Sequence, residues 1–110
     1  GVKELVQRLE QSVIALLSGY GIAAGRQTGM PGVYVAGAKI AAVGLRVSRG
    51  CSFHGIALNV DADLAAFARI NPCGYPGLAA ARMADLGVRD TISVIQGRWQ
   101  ETLLAALATD

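Results

Sequence analysis

The chain predicts an α+β domain in which helices pack against one mixed or antiparallel sheet. Three features carry that expectation. An amphipathic helical pattern runs over residues 2–19, two apolar strand-like runs cover 40–47 and 52–60, and a second helical pattern closes the chain over 98–108. At 110 residues there is room for a single domain, and 53% hydrophobic against 16% charged residues is enough apolar material for a core.

Val2, Leu5, Val6, Leu9, Val13, Leu16 and Leu17 recur at helical spacing with Lys3, Glu4, Gln7, Arg8 and Glu10 between them, and Gly21 supplies the stop. Residues 25–32, with Arg26, Thr28 and Pro31, read as a loop. Val33–Val35 reads as a short strand that turns at Gly37. The run Ile40–Val47 is nearly continuous and apolar, as in a strand covered on both faces. Ser48-Arg49-Gly50 reads as a turn and Ser52–Val60 as a second strand, so the two runs are expected to be adjacent and antiparallel. Asp61–Phe67 suits a helical turn capped by Asp61 or Asp63. Residues 69–77 hold Pro72, Gly74, Pro76 and Gly77, which break helix and strand alike. Residues 78–97 have no single reading, and Trp99, Leu103, Leu104 and Leu107 give the last helix.

The composition excludes several functions. A net charge of +2, nearly all of its excess arginine, is too small for a nucleic-acid face, and no nucleic-acid-binding motif accompanies it. Two cysteines rule out a disulfide-rich scaffold and suit a reducing compartment. No apolar stretch is long enough to cross a bilayer, and the N-terminus enters a helix pattern directly in place of a secretory leader. The expectation is a cytoplasmic protein with neither membrane nor nucleic acid as partner.

Cys73 is the first candidate for chemistry. It stands between Pro72 and Gly74, on the kind of rigid loop where catalytic groups concentrate. The competing reading is an inert small hydrophobe. Lys39 directly precedes the apolar run, and an ammonium there, close to a thiol, would stabilise the thiolate. The competing reading is a solvated lysine beginning a strand. His54, the sole histidine, forms Cys-x-x-His with Cys51. With no second ligand pair a metal is not expected, which leaves a supporting role near a cysteine or a hydrogen-bonded strand histidine. Gly44 and Gly55 interrupt strands where a ligand or another backbone can approach. Together with Ala41, Ala42 and Ala57 they leave room for an unbranched alkyl chain, or for tight helix-on-sheet packing.

Read together, Gly32–Val35, Lys39–Val60 and Arg69–Tyr75 resemble the octanoyltransferase family of lipoate biosynthesis, without gaps over residues 32–77. The resemblance implies the fold of the biotin/lipoate protein ligase catalytic domain, which is like that of class II aminoacyl-tRNA synthetases. It implies that Cys73 is the acyl-thioester nucleophile and Lys39 the base that lowers its pKa. It also implies that Ala42-Val43-Gly44 and Gly55-Ile56-Ala57 line the acyl group. No cofactor is implied, because octanoyl-acyl carrier protein is the donor. The implied partners are acyl carrier protein, the lipoyl domains of 2-oxoacid dehydrogenase complexes, and the glycine cleavage H protein. The family's upstream Arg-Gly-Gly-x-x-Thr-x-His-Gly-Pro-Gly-Gln segment has no counterpart. Residues 1–110 are therefore expected to be one fragment, the C-terminal part of the catalytic domain. Alternatives are an ATP-dependent lipoate or biotin ligase, which needs no nucleophilic cysteine, and a non-catalytic acyl- or protein-binding fragment. Arg46, Arg49 and Arg69 would form a basic rim for acidic partners, or else pair internally with Asp61 or Asp63.

Overall fold

Helix α1 spans Val2–Gly19, where the periodicity places it, and buries Leu9, Val13, Leu16 and Leu17. It ends in a Schellman motif, with the Gly21 N–H donating to Ser18 O and the Ile22 N–H to Leu17 O, each at 2.9 Å. The computed structural model describes residues 1–44, 50–61 and 80–108.

Five strands follow: β1 (Gly25–Gln27), β2 (Met30–Val35), β3 (Ala38–Val43), β4 (Gly50–Phe53) and β5 (Ile56–Asn59). They form one antiparallel sheet in the order β1-β2-β3-β5-β4. The segment expected as a loop, 25–32, thus contains β1 and the start of β2. Gly25 lies in the edge strand β1 and Gly29 in the turn, whereas Pro31 and Gly32 lie within β2, whose pairings with β1 and β3 both carry a register shift.

The single strand expected over 52–60 is a hairpin. Phe53 pairs with Ile56, and the two residues between them, His54 (φ 53°) and Gly55 (φ 88°), both adopt positive φ. A two-residue turn of that kind matches the natural twist of paired strands. As a result β5, and not β4, lies against β3, with Ala41 opposite Leu58, Ala42 opposite Ala57 and Val43 opposite Ile56. Of the antiparallel pairing expected between 40–47 and 52–60, the part formed by β3 and β5 is present. Gly50, expected in a turn, opens β4. Residues 45–49 lie outside the described residues, as do 62–79, which contain most of the expected helical turn.

A short 3₁₀ turn, Met83–Leu86, precedes helix α2, which spans Ile92–Ala108. The helix begins ahead of the expected residue 98. Ile95, Trp99 and Leu103 are its buried stripe, and the exposed Gly97, a poor helix residue, interrupts the pattern that would have revealed it. Thr91 Oγ1 accepts the Val94 N–H at 3.3 Å at its start.

The two helices are antiparallel. At one end Tyr20 Oη donates to Asp90 Oδ2 (2.8 Å), with Arg98 over the Tyr20 ring at 4.1 Å; at the other, Arg8 donates to Leu107 O (3.1 Å). They cover one face of the sheet. The core between them joins Val13, Leu16 and Leu17 of α1, Val33, Ala41, Ile56 and Leu58 of the sheet, and Ile95 and Trp99 of α2. Trp99 meets the Phe53 ring edge-on at 5.0 Å.

Candidate functional site

Side chains alternate across a strand, so the register that turns Ala41, Ile56 and Leu58 to the helices turns Ala42, Ala57 and Asn59 to the other face. One irregularity adds Lys39 to that second face. Val33 pairs with Ala41 but Tyr34 pairs with Lys39, so Ile40 is an extra residue, a β-bulge in β3. Ile40 and Ala41 both belong to the helix core, and Lys39 and Tyr34 lie opposite it. Without the bulge, alternation would bring Lys39 round to the helix core.

The second face is as dry as the first: Lys39, Ala42, Ala57 and Asn59 are each 0% exposed. A fully buried lysine is rare, because taking an ammonium out of water costs several kcal/mol, on the order of 5 or more, before any partner repays it. Lys39 Nζ stands 5.5 Å from the centre of the Tyr34 ring, within range of a cation–π attraction. The reading of Lys39 as a solvated strand lysine is therefore overturned.

The backbone around Lys39 is clamped as well. Its carbonyl accepts the Ala81 N–H at 2.8 Å, and Ala80 bridges to it in parallel. Asn59 Nδ2 donates to Ala81 O at 2.9 Å, and the Ala84 N–H donates to Val60 O at 2.9 Å. These bonds hold residues 80–84 against the ends of β3 and β5. Asn59 Oδ1 is buried and accepts no hydrogen bond from the described residues.

The six residues expected along an acyl chain come together. β3–β5 pairing sets Ala42 against Ala57 and Val43 against Ile56, and the Gly44 N–H donates to the Gly55 carbonyl. They do not share one face, since Ile56 belongs to the helix core and Ala42 and Ala57 do not. Gly44 and Gly55 occupy turn positions beyond the strand ends, each with positive φ, so they do not interrupt strands as expected.

Cys51 and His54 have separate fates. Cys51 is buried against the helices, its thiol directed at Ile92 O (3.7 Å), and burial raises its pKa. His54 is an exposed turn residue rather than a strand residue. Cys73, Arg46, Arg49, Arg69 and Asp63 lie outside the described residues, so the approach of Lys39 to Cys73 and the basic rim do too. No described helix is long and apolar enough to cross a membrane.

Two residues of this face were not singled out by the sequence: Asn59, and Gly32, whose backbone lies against the stem of Lys39. Gly32 carried the one readable signal, a glycine at the head of a strand where something passes close by.

A five-stranded antiparallel sheet with two helices on one face, and a buried lysine among small residues on the other, defines an α+β domain with a site built on its sheet. The chain belongs to the lipoyl protein ligase A/B catalytic domain family, whose family model matches residues 1–101. It is 64% identical over 88 residues to an octanoyltransferase of Alkalilimnicola ehrlichii, covering 80% of this chain and 41% of that protein. It is 57% identical over 106 residues to an octanoyltransferase of Azoarcus sp., covering 96% of the chain and 47% of the relative. A third octanoyltransferase, from Thiobacillus denitrificans, is 52% identical over 107 residues, covering 97% and 49%. The chain thus spans less than half the length of these curated relatives.

Proposed function

We propose that this chain is the part of an octanoyltransferase that carries the nucleophile, Cys73, and its basic partner, Lys39. The observation that carries the reading is Lys39, wholly buried on the same sheet face as the facing alanines Ala42 and Ala57. A desolvated cation beside a narrow apolar strip suits a reaction at the head of an alkyl chain. The name octanoyltransferase carried by the relatives supports an eight-carbon acyl group.

In the first half-reaction the Cys73 thiolate attacks the octanoyl thioester on acyl carrier protein. A new C–S bond forms at Cys73, the bond to the carrier sulfur breaks, and the carrier thiolate leaves with a proton from Lys39, which is left as the neutral amine. In the second, the ε-amine of a target lysine attacks acyl-Cys73. The C–N bond forms, the Cys73 thiolate departs, and the proton lost by the amine passes to Lys39. The acceptors are the lipoyl domains of 2-oxoacid dehydrogenase complexes and the glycine cleavage H protein. Because the thioester is already activated, neither ATP nor a cofactor takes part; the sparse cysteines support a reducing, cytoplasmic setting. Asn59 Oδ1, which accepts no hydrogen bond among the described residues, receives an N–H of the incoming amine.

Intact mass of the complete gene product after incubation with octanoyl-acyl carrier protein tests the reading. The expected result is an octanoyl adduct that hydroxylamine removes and that C73S does not form. An adduct or transfer that requires ATP and free octanoate would assign the ligase reaction instead. Tight binding of the carrier with no adduct would assign a binding module.

A further inference from the structure

We propose that Glu10 is a positioning residue for Lys39, acting through the peptide of Gly32. The inference rests on the catalytic reading of Lys39 and adds the element that holds it.

Glu10 is a buried carboxylate in the middle of α1. A charge there is costly unless it is paired and hydrogen-bonded. Both oxygens are used: Oε1 accepts from Arg26 Nε at 3.0 Å and Oε2 from the Gly32 N–H at 2.8 Å. Arg26 is fixed in turn by donating to Gln7 O at 2.7 Å. Glu10 therefore ties α1 to one peptide of β2, and that peptide is unusual. Gly32 has φ 124°, and a β-carbon there would stand 2.6 Å from Ala41 O and 3.2 Å from Lys39 Cε. The methylenes of Lys39 run directly over Gly32, which can be only glycine for reasons of both φ and space. The bulge turns Lys39 away from the helices, Gly32 is the floor beneath its stem, and Glu10 holds that floor from the helix side. A carboxylate bonded to a backbone N–H makes a short, strong, directional contact, so rotation of the Gly32 peptide would break it and shift the ammonium.

The test uses the complete gene product. In the parent protein, NMR should show a strong NOE between Gly32 Hα and Lys39 Hε. Glu10→Leu, of similar size and with no acceptor, should weaken it. The same substitution should lower kcat for octanoyl transfer about tenfold to a hundredfold, the scale of an ångström of misplacement, with KM for the carrier protein unchanged. E10Q, which still presents one oxygen, should fall between E10L and the parent in both readouts. Parent-like NOE and kcat in E10L overturn the proposal; if E10L does not fold, parent-like values in E10Q do so. K39M separates the two readings. Parent-like kcat in K39M would remove Lys39 from catalysis, while loss of the NOE in E10L would still assign Glu10 as the residue that fixes it.

Discussion

Ala42 and Ala57 stand opposite each other in adjacent strands, both fully buried and both outside the helix core. Two methyl groups are the smallest side-chain pair that can face each other across a ladder, so any added carbon narrows the strip. A57V should lower transfer of an octanoyl group relative to a butanoyl group by about tenfold or more, the usual worth of a methylene in a fitted apolar pocket. Competition between the two thioesters read by mass spectrometry checks this. Equal loss with both donors would show that Ala57 only supports the fold.

Asn59 should matter to one half-reaction only. N59L keeps the volume and removes both polar atoms. It should leave formation of the acyl-enzyme within about twofold and slow its transfer to a lipoyl domain about tenfold, the worth of one hydrogen bond. Single-turnover measurement of each step decides the matter, and slowing of both steps alike would make Asn59 a clip for Ala81 and nothing more.

The two cysteines should differ sharply in reactivity. Burial pushes the pKa of the Cys51 thiol above its ordinary value, so its thiolate is scarcer at neutral pH than that of a free cysteine. Iodoacetamide at pH 7.5 should label Cys73 and spare Cys51 until the protein unfolds, as peptide mapping would show. The stability consequence follows in sign. Above the ordinary thiol range the unfolded chain releases this proton first, so the contribution of Cys51 is complete below that range and is lost as pH rises through it. Labelling of Cys51 in the folded protein at the same rate as Cys73 would contradict this.

How much of this was readable differs element by element. Helix α1 was legible because its apolar residues keep one period and a glycine ends it. The β4–β5 hairpin was not, because His54-Gly55 is less recognisable than the usual Asn-Gly turn pairs and sits inside an apolar run. Lys39 and the alanine pair could be singled out from residue type and neighbours. Glu10 could not: among Arg8, Leu9 and Gln11 it reads as one more solvent-facing charge on an amphipathic helix. Its burial comes from Arg26 and Gly32, contacts that no local window contains.

Ser12 should prove the most sensitive polar residue of the helix interface. Its hydroxyl donates to Leu9 O at 2.6 Å and accepts the Trp99 indole N–H at 2.9 Å. S12A leaves that N–H buried without a partner, a loss of about 1–3 kcal/mol, which thermal denaturation would read as a fall in Tm of about 5 °C or more. In a W99F background the same substitution should cost much less. An equal cost in both backgrounds would show that the hydroxyl serves Leu9 alone.

The strand order also governs how the molecule is assembled. β4 and β5 meet through a two-residue turn and can pair early, whereas the seam between β3 and β5 joins partners far apart in sequence and closes only when the hairpin docks as a unit. The alanines that would flank the acyl group lie on that late-closing seam. Substitutions at Ala42 or Ala57 should therefore accelerate unfolding and leave the refolding rate nearly unchanged, whereas changes at His54 or Gly55 should slow refolding. Stopped-flow kinetics showing the reverse would place the seam in the folding nucleus. On this order the pocket is the last part of the sheet to form, so a partly folded chain presents no surface on which an acyl group could be stranded.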